Sequence, residues 1–87
     1  MSNIPVQMYV KSWCPYCAAA RELLTRKGVP FEEIDIEASP AAAQIMVQRR
    51  GQRTVPQIFI GEQHIGGSDD LHALDAAGEL DALLAPR

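Results

Sequence analysis

Apolar and polar positions along the chain mark out a series of short elements. Val6-Gln7-Met8-Tyr9-Val10 alternates poorly, yet it is short and β-prone, which predicts a buried strand. A loop over Lys11-Ser12-Trp13 follows, and a helix is expected from about Cys14, with Pro15 suited to its first turn. Residues 18–24 have high helix propensity, and Gly28 ends the element. Cys17, Ala20 and Leu24 fall on one face at helical spacing, so Cys17 is expected to point inward. Residues 31–36 alternate and read as a second strand. Ser39-Pro40 opens a helix that reaches about Arg50, with Gly51 as its stop. Gln57-Ile58-Phe59-Ile60 is a third strand, Gly61-Glu62 a turn, and Gln63-His64-Ile65 a short fourth strand. Ser68 is expected to cap a helix with Asp69 and Asp70 in its first turn and Leu71 and Leu74 toward the core. Gly78 breaks that helix, and Leu80, Leu83 and Leu84 suggest a short last one.

The order is therefore β-α-β-α-β-β-α. A strand–helix–strand unit with a right-handed crossover pairs its strands in parallel, and the closing hairpin adds antiparallel ones. The expectation is an α/β fold with a four-stranded mixed sheet flanked by helices, formed by residues 1–87 as one domain.

Composition narrows the function classes. Apolar residues are 47% of the chain, the share of a globular domain, so disorder is not expected. A net charge of -3 and a pI of about 5.2 argue against nucleic acid or an anionic membrane as partner. The N-terminal residues lack a basic stretch leading into an apolar one, and no apolar run approaches the roughly 18 residues that span a bilayer. A cytoplasmic location follows as the expectation. There, two cysteines three positions apart are expected to be catalytic or metal-binding, not a structural staple. A Cys14–Cys17 disulfide closes so small a loop that chain entropy gives it little stabilising effect.

A C-x-x-C motif at the end of the first strand of a βαβ unit reads as a redox centre. The nucleophile in such chemistry is a thiolate, and a free cysteine, with a pKa of about 8.5, is only slightly ionised at neutral pH. Cys14 sits where a helix starts, so its sulfur meets unpaired N–H groups and the positive end of the macrodipole. The dipole contributes about 0.3–1 kcal/mol and at most ~2, so hydrogen bonds and a cation, with Lys11 the candidate, must add to it. Pro15 has no N–H, which leaves Tyr16, Cys17 or the Cys17 thiol as donors. Cys17, deeper on the helix, suits attack on a mixed disulfide at Cys14. The competing readings are two structural cysteines, or half a zinc site with His64 and His72. The histidine spacing does not fit a zinc finger, and no metal is expected.

Three segments carry a resemblance: Trp13-Cys14-Pro15-Tyr16-Cys17, residues 54–61 (Thr-Val-Pro-Gln-Ile-Phe-Ile-Gly), and residues 65–71 (Ile-Gly-Gly-Ser-Asp-Asp-Leu). Together, over essentially the whole chain, they resemble the dithiol glutaredoxins, and most nearly the short bacterial ones of the glutaredoxin 3 type. The resemblance implies a thioredoxin-like fold and a glutathione-dependent disulfide reductase with glutathione as co-substrate. Disulfide-bonded or glutathionylated proteins would be its partners, and it would act as a monomer. It implies catalytic roles for Cys14 and Cys17, and a cis Pro56 that leaves the Val55 backbone to pair with the glutathione cysteine. It places Thr54, Tyr16 and Gly67 against the ligand, the γ-glutamyl group at Asp69 and Asp70, and the glycine carboxylate at Lys11, with Arg49, Gln52 or Arg53 as further cations or donors. A first turn holding Ser68, Asp69 and Asp70 is also a good cap in its own right. Ser68 stands where the family often has cysteine, which removes a third thiol. Two other functions remain as alternatives: an iron–sulfur cluster carrier using Cys14 and glutathione, and a thioredoxin-like reductase fed by a flavoprotein. Pro15 after the first cysteine disfavours the former, and Pro-Tyr in place of Gly-Pro the latter.

Overall fold

The computed structural model describes residues 5–50 and 54–84. Eight elements follow in order: β1 (Val6–Val10), α1 (Pro15–Arg26), β2 (Glu32–Asp35), α2 (Pro40–Arg50), β3 (Gln57–Ile60), β4 (Gln63–Gly66), α3 (Ser68–Ala76) and α4 (Leu80–Leu84). The strands form one sheet in the order β2-β1-β3-β4. β1 runs parallel to β2 and antiparallel to β3, and β3 antiparallel to β4. This is the mixed sheet with flanking helices of a thioredoxin-like fold, as expected.

The sheet is covered on both faces, which explains why β1 and β3 do not alternate in sequence. Val6, Met8 and Val10 of β1 join Ile58 and Ile60 of β3 in one core with Cys17, Ala20, Leu23 and Leu24 of α1, Leu71 of α3 and Leu80 of α4. Tyr9 and Phe59 point the other way, into a second core with Ala42 and Met46 of α2. Tyr9 meets Phe59 edge to face at 5.7 Å between ring centroids, and the Arg49 guanidinium lies 3.8 Å over the Phe59 ring. Gly28, Gly61 and Gly78 take positive φ at the turns where the sequence expected breaks.

Two details differ from expectation. The N-cap of α3 is Gly67 and not Ser68, because the Asp70 carboxylate reaches back to accept the Gly67 N–H at 3.1 Å. Ser68 then becomes the first helical residue and is buried. The second strand is two residues shorter than the alternating run, since Ile36 leaves the ladder after its N–H donates to the Val10 carbonyl at 2.9 Å. Gly51, Gln52 and Arg53 lie outside the described residues.

Parallel β1 and β2 end side by side, with Val10 opposite Asp35. The loops leaving those ends carry Lys11 to Cys14 on one side and Glu37 on the other. The hairpin of β3 and β4 brings the segments before β3 and after β4 to the same edge of the sheet.

Candidate active site

Cys14 is the N-cap of α1, with extended backbone (φ -154°, ψ 106°) and Pro15 at the first helical position. That geometry turns its side chain back over the first turn, and Sγ accepts the Cys17 N–H at 3.1 Å. The sequence left three donors open, and the Cys17 backbone is one that makes the bond. Cys14 Sγ also lies 4.0 Å from the Val55 carbonyl oxygen. Cys17, one turn on, is 1% exposed within the first core. Both cysteines are free thiols. Burial, then a hydrogen bond with Cys14, push the Cys17 thiol up to about 11; a hydrogen bond from the Lys11 backbone opposes this, and the charge of Cys14 adds a lesser push upward. The two cysteines thus differ in kind: Cys14 is partly exposed and its sulfur receives an N–H, whereas Cys17 is buried and its thiol is pushed toward the protonated form.

The loop before Cys14 is pinned by a residue that sequence reasoning missed. Glu37 Oε1 accepts from both the Ser12 N–H (3.1 Å) and the Ser12 hydroxyl (2.9 Å). Asp35 sets this up by accepting the Glu37 and Ala38 N–H groups, so the chain turns back as it leaves β2. The two Ser12 bonds hold the Glu37 carboxyl below its ordinary pKa of 4.5. No local signal marks Glu37, since its partner is 25 residues away. The same loop leaves Trp13 84% exposed, and Tyr16 beside it is 64% exposed.

Two cavities flank Cys14. One, of about 330 Å³, is lined by Tyr16, Thr54, Val55, Pro56, Gly67, Asp69 and Asp70, with Gln57, His64, Ile65, Gly66 and Ser68. Those first seven are all residues singled out from the sequence. The second, of about 280 Å³, is lined by Lys11, Ser12, Trp13, Cys14, Pro15, Ala18 and Arg21. Cys14 lines the cavity that holds Lys11, and Val55, whose carbonyl lies 4.0 Å from its sulfur, lines the groove walled by the α3 N-terminus. The Val55–Pro56 peptide bond is cis. Asp70 serves as a cap, and Asp69 stays exposed at the groove.

Arg49 is placed elsewhere. Its guanidinium donates to Gln7 Oε1, the Tyr9 hydroxyl and the Gly61 carbonyl, which ties the end of α2 to β1 and to the turn after β3. Gln52 and Arg53, its companions as candidates for a carboxylate, are among the residues outside the description. Arg21 makes a two-pronged pair with Glu33 at 2.7 and 2.8 Å, which joins α1 to β2 beside the second cavity. His72 and Ser68 pair within α3, and His64 faces Gln57. Among the described residues no three His, Cys, Asp or Glu side chains are grouped to hold a metal ion. Nor is any helix there long and apolar enough to cross a membrane.

The chain is similar to known proteins over most of its length. The sequence model of the family described as "Glutaredoxin" matches residues 6–65. The chain is 54% identical to a glutaredoxin of Pseudomonas aeruginosa over 93% of this chain and 96% of that one. It is 56% identical to glutaredoxin 3 of Escherichia coli K12 over 91% of this chain and 95% of that one. Among solved structures, a buckwheat glutaredoxin–glutathione complex superimposes with a TM-score of 0.85 at 33% identity, covering 94% of this chain and 76% of that one.

Proposed function

This chain belongs to the glutaredoxin family, and on that premise we propose that it reduces glutathione mixed disulfides and protein disulfides through Cys14 and Cys17. One observation carries the reading: a partly exposed Cys14 whose sulfur is held 3.1 Å from the Cys17 N–H, next to Val55 of a groove that also holds Pro56, Gly67 and Asp70. The Cys17 N–H stabilises negative charge on Cys14 Sγ, so the thiolate attacks the glutathionyl sulfur of a mixed disulfide. The substrate S–S bond breaks, and the substrate leaves as a thiolate that takes up a proton. A second glutathione thiolate then attacks the glutathionyl sulfur on Cys14, giving glutathione disulfide and restoring the Cys14 thiolate. With a protein disulfide, Cys14 forms the mixed disulfide with one substrate sulfur. Cys17 loses its proton as it attacks Cys14 Sγ, and the reduced substrate leaves behind a Cys14–Cys17 disulfide that two glutathiones reduce.

Glutathione offers an extended cysteine backbone, a γ-glutamyl ammonium and carboxylate, and a glycine carboxylate. The Val55 backbone beside Pro56 suits the first as an added strand. Gly67 and the N-terminus of α3 suit the γ-glutamyl carboxylate, and Asp70 its ammonium, with Asp69 at the rim. Lys11 suits the glycine carboxylate, Tyr16 covers the ligand, and Thr54 supports the strand edge. The chain acts as a monomer of one domain in the cytoplasm, where a glutathione pool supplies the electrons.

The test is reduction of a small glutathione mixed disulfide by glutathione, with the native chain, Cys14→Ser and Cys17→Ser. The expected result is activity lost in the first variant and retained in the second. A native chain that ignores glutathione but accepts electrons from a flavoprotein reductase would sink the reading. A freshly purified chain with visible absorption from an iron–sulfur cluster would turn it toward cluster carriage.

A further inference from the structure

Strand β3 is buried along its whole length, yet its first residue is a glutamine, 2% exposed in a run that continues Ile58-Phe59-Ile60. A primary amide in such a place is costly unless its donor and acceptor are both used. Gln57 uses both. Its Nε2 donates to Thr54 Oγ1 at 3.1 Å, and its Oε1 faces His64 Nε2. The His64 ring in turn packs on Phe59, 4.9 Å between centroids. A line of polar contacts thus runs from β4 through the inside of β3 to Thr54. That residue is exposed at the groove and immediately precedes Val55, whose carbonyl lies 4.0 Å from Cys14 Sγ.

We infer that Gln57 is a positioning residue for glutathione, acting through the Thr54 hydroxyl to fix the Val55 backbone against which the glutathione cysteine is laid. The inference rests on the glutathione reading above. A ligand that binds as an added strand gains affinity from an edge that is already ordered, because it need not order that edge itself. The burial of Gln57 makes the arrangement rigid: its amide has no water to turn to, so the Thr54 bond is kept. The network makes no hydrogen bond of its own to the sulfur and meets it only through the long Val55 contact, so its main effect is on how well glutathione is held, with little change in the reactivity of Cys14.

The experiment compares Gln57→Met, which keeps length and volume but removes both bonds, with Thr54→Val and Thr54→Ser. Three quantities are read: KM and kcat for a small glutathione mixed disulfide, the rate of Cys14 alkylation by iodoacetamide, and Tm. Gln57→Met and Thr54→Val are each expected to raise KM roughly five- to tenfold. The double variant should do no more than either alone, and Thr54→Ser should restore the native KM. Alkylation should stay within about twofold of native throughout. If Gln57→Met does not fold, Gln57→Asn, whose amide is too short to reach Thr54, takes its place. An unchanged KM in the Gln57 variant, whether or not Tm falls, overturns the inference, as does a Thr54→Val effect that adds fully to it. A native chain without glutathione-dependent turnover would instead remove the glutathione reading itself, which the native control alone decides.

Discussion

The backbone N–H of Cys17 points at the sulfur of Cys14 from 3.1 Å, while the Cys17 side chain is buried in the core behind it. One residue thereby does two things by geometry alone. Its peptide group offers hydrogen-bond stabilisation to the accessible sulfur, and its own thiol is held in a place where ionisation is unfavourable. The division follows from Cys14 being an N-cap: the cap side chain folds over the first turn, and the residue three positions later is the one whose N–H it meets. Spacing in C-x-x-C is the spacing of a helix cap.

The Cys17 thiol is moved from 9.0 to about 11 chiefly by burial. A thiol with a raised pKa keeps its proton longer in the folded state than in the unfolded one. Its effect is absent below pH 9, and folded stability is lost as pH rises from about 9 through 11. Denaturant unfolding of the native chain and of Cys17→Ala, compared from pH 7 to 11, should show the gap between them shift in favour of the alanine variant as pH rises past about 9. A constant gap would contradict the assignment.

Gly66 and Gly67 are adjacent but not equivalent. Gly66 has φ +117°, and a Cβ there would overlap the Asp70 carboxylate. Gly67 has φ -90°, and a Cβ there would make an ordinary 3.6 Å contact with the Pro56 carbonyl. Gly66→Ala should therefore cost roughly 2–4 kcal/mol, from backbone strain together with the lost cap. Gly67→Ala should leave stability within about 1 kcal/mol while weakening glutathione binding, since its methyl projects into the groove. Thermal unfolding and the KM for a glutathione mixed disulfide separate the two.

Glu37 holds the loop that ends at Cys14, and Trp13, the chain's one tryptophan, sits on that loop next to Ser12. Its carboxyl is depressed below 4.5 by the two Ser12 bonds. A depressed carboxyl contributes while ionised, above its unfolded value, and its contribution disappears as pH falls through the lower folded one. Tryptophan fluorescence should therefore be flat from pH 7 to about 5 and change below that range. Glu37→Ala should show the changed emission already at pH 7, with turnover reduced a few-fold. An alanine variant that keeps the native emission would show that the loop is held by other means.

How much of this was legible in the sequence depended on whether the cause was local. Pro15 after Cys14, the period that buries Cys17, Ala20 and Leu24, and the glycines at 28, 61 and 78 each act on their own few residues, and the elements they predict are present. The cis Pro56 followed from the family resemblance alone, since local chemistry favours trans. Three features were not legible because their partners are set by register and crossover. Glu37 finds Ser12 only when β1 and β2 lie parallel. Gln57 finds His64 only through the hairpin pairing, which carries an irregularity at Ile58 and Phe59. Arg49, read as a candidate for a carboxylate, is drawn to Phe59 and Tyr9 because α2 crosses the sheet at that point. Ser68 was misplaced by one residue for a different reason: serine is a preferred cap, but Asp70 competes for the same role through the Gly67 N–H.

Asp70 has two possible functions that a single alanine substitution would confuse. It caps α3 through Gly67, and in the proposed complex it pairs with the γ-glutamyl ammonium. Asp70→Asn separates them, because an amide oxygen still accepts the Gly67 N–H while the negative charge is gone. The expected result is a KM for glutathione mixed disulfides raised roughly tenfold or more, since a charge-assisted bond contributes about 1.5–3 kcal/mol. Stability should fall by no more than about 1 kcal/mol, the worth of a charge near a helix N-terminus. Asp70→Ala should show the same rise in KM together with a further loss of stability of about 1 kcal/mol from the missing cap. A fully functional Asp70→Asn beside an impaired Asp70→Ala would make Asp70 a cap and nothing more, and the ammonium partner would then be sought at Asp69.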